Sequence, residues 1–349
     1  MSYRIIQWSS GNVGKHAIAT IAGREGMELV ALYVYSDEKS GNDAGTIAGI
    51  GSLGVMATND RESLLASEAD CVIHTPLPSL VYGEAPDEDL ETICALLASG
   101  KNVITTVGYM YPKVHGEALE ARIEQACEHG GSSFHSTGVN PGWMGDMLPL
   151  VMSGICQRLD QIYVQEITNF EFYPSPSVIF DMMGFGCSPE NFENHAARYT
   201  NWLNGLFRES IQMVADGLEL ELDSITVHSE FEVSTRAMKI AAGDVASGTI
   251  AGQRWEWAGM VNGEKRIVHE TVWRLHEAIG DQWPRGRHSV KIEGSPNMFL
   301  DFGDQWNDDV LLSTAVHAVN AIPFVCEAKP GIRTLLDLPM ITARGGASR

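Results

Sequence analysis

The sequence predicts an α/β protein in which a doubly wound parallel sheet is followed by a smaller α+β domain. Three observations predict it. Short apolar runs alternate with helix-period segments through the first part of the chain; the pattern changes near Gly154 to long strand-like stretches; and 349 residues exceed what one hydrophobic core usually supports.

The alternation begins with the strand pattern YRIIQW and the helix pattern NVGKHAIATIAG, followed by ELVALYVY. A glycine-rich loop over residues 41–54 leads to ADCVIHT, a helical DEDLETICALLASG, and KNVITT. HGEALEARIEQACEHG and SSFHST add a helix and a strand. Strands separated by helices indicate βαβ units and a parallel sheet. Their nearly continuous apolar character is expected where helices cover both faces.

Beyond Gly154, strand patterns recur in RLDQIYVQEI, LELDSITVHSEFEVS, VASGTIAGQRWEWAGMV, KRIVHETVWRLHE and RHSVKIEG. Ile225, Val227, Ser229, Phe231 and Val233 alternate with polar neighbours, the mark of a sheet with one wet face. One helix over Pro189 to Asp216 is expected to cover the other face, and Asn307 to Pro323 returns to helical periodicity. The expected division is 1–150, 151–306 and 307–349.

Composition narrows the function classes. There are 45 acidic and 24 basic side chains, a net charge of −21 that disfavours nucleic acid and anionic membrane as partners. No basic segment precedes an apolar run at the start, and no apolar run reaches membrane-spanning length. The six cysteines are scattered without a C-x-x-C pair, so no metal site is expected, and free thiols suit a reducing cytoplasm.

The first strand runs into SSGNVGKHA, which opens a helix. Against the pattern G-x-G-x-x-G the positions are Ser9, Gly11 and Gly14, so Ser9, Ser10, Gly11, Asn12, Val13 and Gly14 form a candidate pyrophosphate cradle. Gly11 admits close approach of a phosphate, and Gly14 lets the helix pack on the strand. This is the fingerprint of a Rossmann dinucleotide-binding domain, and it makes NAD or NADP the expected cofactor.

The second strand ends before Ser36, Asp37, Glu38 and Lys39. An acid there suits the ribose hydroxyls of NAD, whereas a hydroxyl and a cation suit the 2′-phosphate of NADP. Ser36 comes first and Lys39 is within reach, which tilts the reading toward NADP. Two further strand ends, at Thr75-Pro76 and at Thr106, face the same crevice by the carboxyl-end rule.

The stretch HSTGVNPGWMGDMLP, with YPSPSVIFDMMGFG and AVNAIPFVCEAKPGIRTLLDLP, resembles the dihydrodipicolinate-reductase-like superfamily. Within it the chain resembles the branch of 2,4-diaminopentanoate dehydrogenase and the native amine dehydrogenases. The resemblance spans nearly the whole chain. It implies a Rossmann domain, a substrate and dimerisation domain, and a final helix returning to the first domain. It further implies NAD(P)-linked chemistry at a C=N or C=O carbon in a homodimer, with Asn140 beside the nicotinamide carboxamide.

Two departures qualify the chemistry. The paired-histidine and lysine motif of the lysine-pathway reductases is missing. Amine dehydrogenases carry a glutamate just after the strand corresponding to KNVITT, where this chain has Val107, Gly108, Tyr109, Met110 and Tyr111. Tyr109 and then Tyr111 are therefore the candidate proton donors, with His135 and Glu166 as further acid/base candidates. Trp143, Phe170, Tyr173, Met182 and His195 are the candidate substrate contacts, joined by Asp181, and an aromatic pocket of this kind suits a small hydrophobic ketone, aldehyde or imine. The rivals are an amine dehydrogenase with a displaced acid and a nucleotide sensor without turnover.

Overall fold

The computed structural model describes residues 2–303, 306 and 309–346, and the chain divides into two compact units. The first comprises Met1–Trp143 with Asp309–Arg349, and the second is Met144–Asp308.

The first unit opens with β1 (Tyr3–Trp8), α1 (Asn12–Ala22), β2 (Met27–Tyr33), α2 (Ala44–Ala48) and β3 (Ala57–Thr58). It continues through α3 (Arg61–Ala66), β4 (Cys71–His74), α4 (Ser79–Tyr82) and α5 (Glu88–Ala98). Then come β5 (Asn102–Thr105), α6 (Glu117–Gly130) and β6 (Ser133–Ser136). The short helix α2 lies inside the segment read from sequence as a glycine-rich loop; Asp43 caps it by accepting from Thr46 N at 3.0 Å.

The second unit contains α7 (Leu148–Ser153), β7 (Arg158–Asn169), α8 (Pro189–His195), α9 (Ala197–Gly217) and β8 (Ser224–Val233). It ends with β9 (Met238–Ile240), β10 (Gly243–Val245), β11 (Ile250–Val261), β12 (Glu264–Arg274), β13 (Ser289–Ser295) and β14 (Met298–Asp301). The first unit is completed by α10 (Val310–Cys326) and β15 (Gly331–Ile332). Asn307, where sequence periodicity placed the start of the last helix, lies outside the described residues.

Seven strands of the first unit pair in the order β15-β6-β5-β4-β1-β2-β3, all parallel. Their apolar runs are buried on both faces. On one face, Ile18 and Ile21 of α1 and Val319 and Ile322 of α10 join the same core as Ile5, Ile73 and Ile104. On the other, Ile93 and Leu97 of α5 and Ile123 of α6 share a core with Ile6, Val72 and Val103.

The second sheet has the order β14-β13-β7-β12-β11-β8, with β7 and β12 parallel and the other pairs antiparallel. Helix α9 covers one face, where Phe207 stacks on Trp257 at 4.0 Å and Trp257 Nε1 donates to Asn204 Oδ1 at 2.8 Å. The opposite face is polar. There the buried Glu270 carboxylate accepts from Tyr163 Oη, Gln165 Nε2 and Arg254 Nε, the donors that make its burial tolerable.

One sequence expectation needs amendment here. The single helix read over Pro189 to Asp216 is two helices, broken at Ala196. The alternating segment Ile225 to Val233 is an edge strand, so Val227 and Phe231 stay 40% and 37% exposed although they point toward the covered face. Alternation reports which face a side chain is on, not how far the covering helix extends.

Four of the buried histidines are held neutral by their burial. Burial holds His74, His269 and His317 down to about 3 and His135 down to about 4. Each is neutral in the fold but takes a proton near pH 6.5 when unfolded. The stability this confers is complete above about pH 6.5 and drains away as pH falls toward the folded values, at ~1.4 kcal/mol per pH unit for each histidine. Thermal unfolding measured from pH 7 to pH 4.5 is therefore expected to show a steep fall in Tm, and His317→Gln a shallower one. A flat Tm over that range would contradict the assignment.

Candidate functional site

The turn between β1 and α1 is fixed from below by Gln7. Its Nε2 donates to Ser9 O at 2.9 Å, Trp8 O at 3.2 Å and Thr75 Oγ1 at 2.8 Å, so one buried amide ties β1, the turn and the end of β4 together. Ser9 N also donates to Tyr33 O at 3.0 Å. Ser9 sits at φ 85°, in the left-handed region where glycine is the usual occupant, and these bonds hold it there.

Gly14 has no alternative: a Cβ on it would lie 2.3 Å from Ser9 O. Gly11 differs. It begins α1 without a side-chain cap, and a Cβ there would meet nothing closer than Ser9 Oγ at 4.0 Å. A side chain at Gly11 would meet no obstacle, so it is not packing that requires glycine there, and the first-turn N–H groups of a helix have no partner within it. No acid occupies that turn. Asn12 is exposed in it, and Val13 packs against the core beside α1.

A cleft of about 400 Å³ opens on this turn. Ser9, Ser10, Gly11, Ser36 and Lys39 are among its lining residues, and Lys39 Nζ donates to Ser10 Oγ at 3.3 Å. Asp37 is turned aside, its Oδ1 accepting from Asn59 Nδ2 at 2.6 Å. Tyr35, Pro76, Leu77 and Asp89 of α5 line it as well. The structure thus gathers Ser9, Ser10, Gly11, Ser36, Lys39 and Pro76 around one cavity. Thr75 is buried and accepts from Gln7, and Thr106 directly follows β5, its N–H donating to His74 O at 3.1 Å.

The remaining candidates of the first unit follow β5 and β6. Tyr109 stands at φ 65°, a strained position for a tyrosine, with its ring edge-on to His115 at 5.9 Å. Tyr111 is buried with Lys113 Nζ 4.5 Å above its ring. Asn140 belongs to a tight turn in which Val139 and Gly142 form a bridge, and a Cβ on Gly142 would lie 2.3 Å from Gly138 N. Trp143 ends this unit, at the start of the π-helical turn Trp143–Met147.

His135 is fully buried in β6. Its Nδ1 lies 2.6 Å from Arg333 O, and with its ring held neutral this geometry describes a structural histidine.

In the second unit, Phe170 contacts Tyr173, Phe185 and Trp273 at ring distances of 5.7, 6.3 and 6.4 Å. Tyr199 joins the cluster, 6.5 Å from Trp273. Glu166 lies beside these rings, its Oε1 accepting from Trp273 Nε1 at 2.8 Å. Met182 is half-buried in the π-helical turn Ser177–Met182. His195 and Asp181 are exposed, with His195 Nε2 2.8 Å from Phe180 O. Sequence reasoning missed Gln7, Asp89, Trp273 and Tyr199. A glutamine amid the apolar run YRIIQW was the one local signal available.

Among the described residues no helix is long and apolar enough to cross a membrane, and no three His, Cys, Asp or Glu side chains are grouped to hold a metal ion.

Comparison with known proteins accords with this arrangement. The 2,4-diaminopentanoate dehydrogenase C-terminal domain family matches residues 143–349, and the dihydrodipicolinate reductase N-terminus family matches residues 5–107. An amine dehydrogenase of Streptomyces virginiae is 32% identical, covering 99% of this chain and 98% of its own. A 2,4-diaminopentanoate dehydrogenase of Acetoanaerobium sticklandii is 29% identical over 71% of this chain and 69% of its own. An amine dehydrogenase from Mycobacterium smegmatis shares the fold, with a TM-score of 0.79 at 22% identity, covering 98% and 97% of the two chains. The chain belongs to the 2,4-diaminopentanoate dehydrogenase family of the dihydrodipicolinate-reductase-like branch, and is an NAD(P)-dependent oxidoreductase.

Proposed function

We propose that this chain is an NADP-preferring dehydrogenase that moves a hydride to or from the carbon of a small hydrophobic carbonyl or imine, as a homodimer in the cytoplasm. The observation that carries the cofactor reading is the Lys39–Ser10 pair lining the cleft, with Ser36 in the same lining and Asp37 bonded to Asn59 instead. A cation and hydroxyls suit a 2′-phosphate, whereas an acid in that place suits unphosphorylated ribose. The uncapped start of α1 at Gly11 and the space above it suit the pyrophosphate. The Thr75-Pro76 and Thr106 strand ends and the Asn140 turn are assigned to the nicotinamide half.

The bound nicotinamide supplies or accepts the hydride; the protein must position the substrate and handle the proton. In carbonyl reduction, Tyr109 Oη gives its proton to the substrate oxygen as the carbon receives the hydride, and takes it back in the reverse reaction. Its left-handed backbone is the kind of strain that persists where a side chain must be aimed. The Phe170, Tyr173, Phe185 and Trp273 rings supply an apolar surface for the substrate.

A second reading, reductive amination, is favoured by Glu166. A carboxylate beside an aromatic cluster is a means of holding an ammonium ion, and Trp273 fixes its direction. In this reading Glu166 does the work of the glutamate that Val107 to Tyr111 lack. Named relatives with amine dehydrogenase activity add to it.

Lys39→Ala is expected to weaken NADP binding by about tenfold while leaving NAD binding nearly unchanged; equal losses for both cofactors would remove the 2′-phosphate assignment. With a panel of hydrophobic ketones, NADPH oxidation that proceeds without ammonium and is lost in Tyr109→Phe supports the carbonyl reading. Oxidation that requires ammonium, and is lost in Glu166→Gln, supports the amine reading and displaces the first.

A further inference from the structure

The first unit is assembled from two chain segments, Met1–Trp143 and Asp309–Arg349, with the whole second unit between them in the chain. Its helix α10 is therefore connected to the earlier strands only through the second unit. Packing holds it on the sheet: Val319 and Ile322 share a core with Ile5, Ile18 and Ile73. At the last residue of α10, Cys326 meets the start of β4, where the first residue is Cys71.

Two contacts bring these thiols together across the two segments. Cys326 Sγ lies 3.9 Å from Asp70 O, the carbonyl that leads into Cys71. Cys326 also packs against the core to which Cys71 belongs. The interaction is felt at Cys71: burial first, then hydrogen bonding with Cys326 and the charge of Cys326, hold its thiol well above the ordinary range. The pair is asymmetric in access. Cys71 is fully buried, whereas Cys326 is half-buried, so a solute reaches Cys326 first.

We propose that Cys71 and Cys326 form a redox-modification site, in which a peroxide oxidises Cys326, Cys71 resolves it, and the disulfide latches α10 to the sheet. In the first step the Cys326 thiolate attacks one oxygen of hydrogen peroxide. An S–O bond forms, the O–O bond breaks, and the departing hydroxide takes up a proton to leave as water. In the second, the Cys71 sulfur attacks the sulfur of this sulfenic acid. An S–S bond forms, the S–O bond breaks, and the hydroxide leaves with the Cys71 proton as water. Two thiols and one peroxide give one disulfide and two waters. A dithiol reductant reverses the change by exchange. Because Cys71 is buried and protonated, the second step is the slow one. The new link joins the two segments of the first unit and closes a long loop, the kind of crosslink that most restricts the unfolded chain. The inference rests on the fold and not on the cofactor reading.

The test is treatment of the intact protein with hydrogen peroxide, followed by peptide mapping without reduction and by thermal unfolding. A linked Cys71–Cys326 peptide pair is expected, with a Tm higher by about 5 °C or more that dithiothreitol returns to its starting value. Cys326→Ser is expected to show neither change. Cys71→Ala is expected to leave Cys326 as a sulfenic acid that dimedone traps, with no rise in Tm. Peroxide that leaves both thiols reduced overturns the inference, and so does a disulfide that forms between other cysteines instead. A linked pair without a rise in Tm overturns the latch. Mapping of the wild-type protein decides the pairing even where a variant does not fold.

Discussion

The arrangement of the first unit depends on one constraint: the chain must leave β1 and begin α1 close enough to the strand for the helix N-terminus to open on a ligand. Three features meet that requirement. Gln7 bonds to Ser9 O, Trp8 O and Thr75 Oγ1, Ser9 takes a left-handed backbone, and Gly14 lies where any side chain would strike Ser9 O. A side chain at position 14 would force the helix away from the strand. What remains above Gly11 is space, N–H groups and the positive end of the helix dipole, with Lys39 reaching across to Ser10.

Much of this fold can be read from the sequence because its signals are periodic. YRIIQW, ADCVIHT and KNVITT are unbroken apolar runs because helices cover both faces of their sheet, and that burial dictates composition directly. The break at Ala196 and the openness of β8 were hidden because they depend on where a helix ends over a sheet, which no local pattern encodes. Short elements such as α2 escaped because five residues held by one Asp43 cap carry too little periodicity.

The candidate site divides the same way. Ser9, Gly11, Gly14, Ser36 and Lys39 were legible because phosphate binding requires particular residue types at fixed offsets from a strand. Asp89 was not, since only its bond from Ser79 N and the cavity it lines set it apart from other helix-start acids. Trp273 likewise became relevant only by reaching Glu166 across the sheet. His135 illustrates the opposite case: a residue type associated with catalysis that the fold uses as a buried tie to Arg333 O. Residue type and strand position nominate a group for chemistry, and only its partners decide.

The central claim, that the start of α1 holds the cofactor's pyrophosphate, is tested most directly by amide hydrogen exchange with and without NADP+. The account predicts that amides from Gly11 to Lys15 gain protection on binding, together with the Ser36–Lys39 turn. Saturation with NADP+ that leaves the Gly11–Lys15 amides unchanged, with protection arising only elsewhere in the chain, would contradict it.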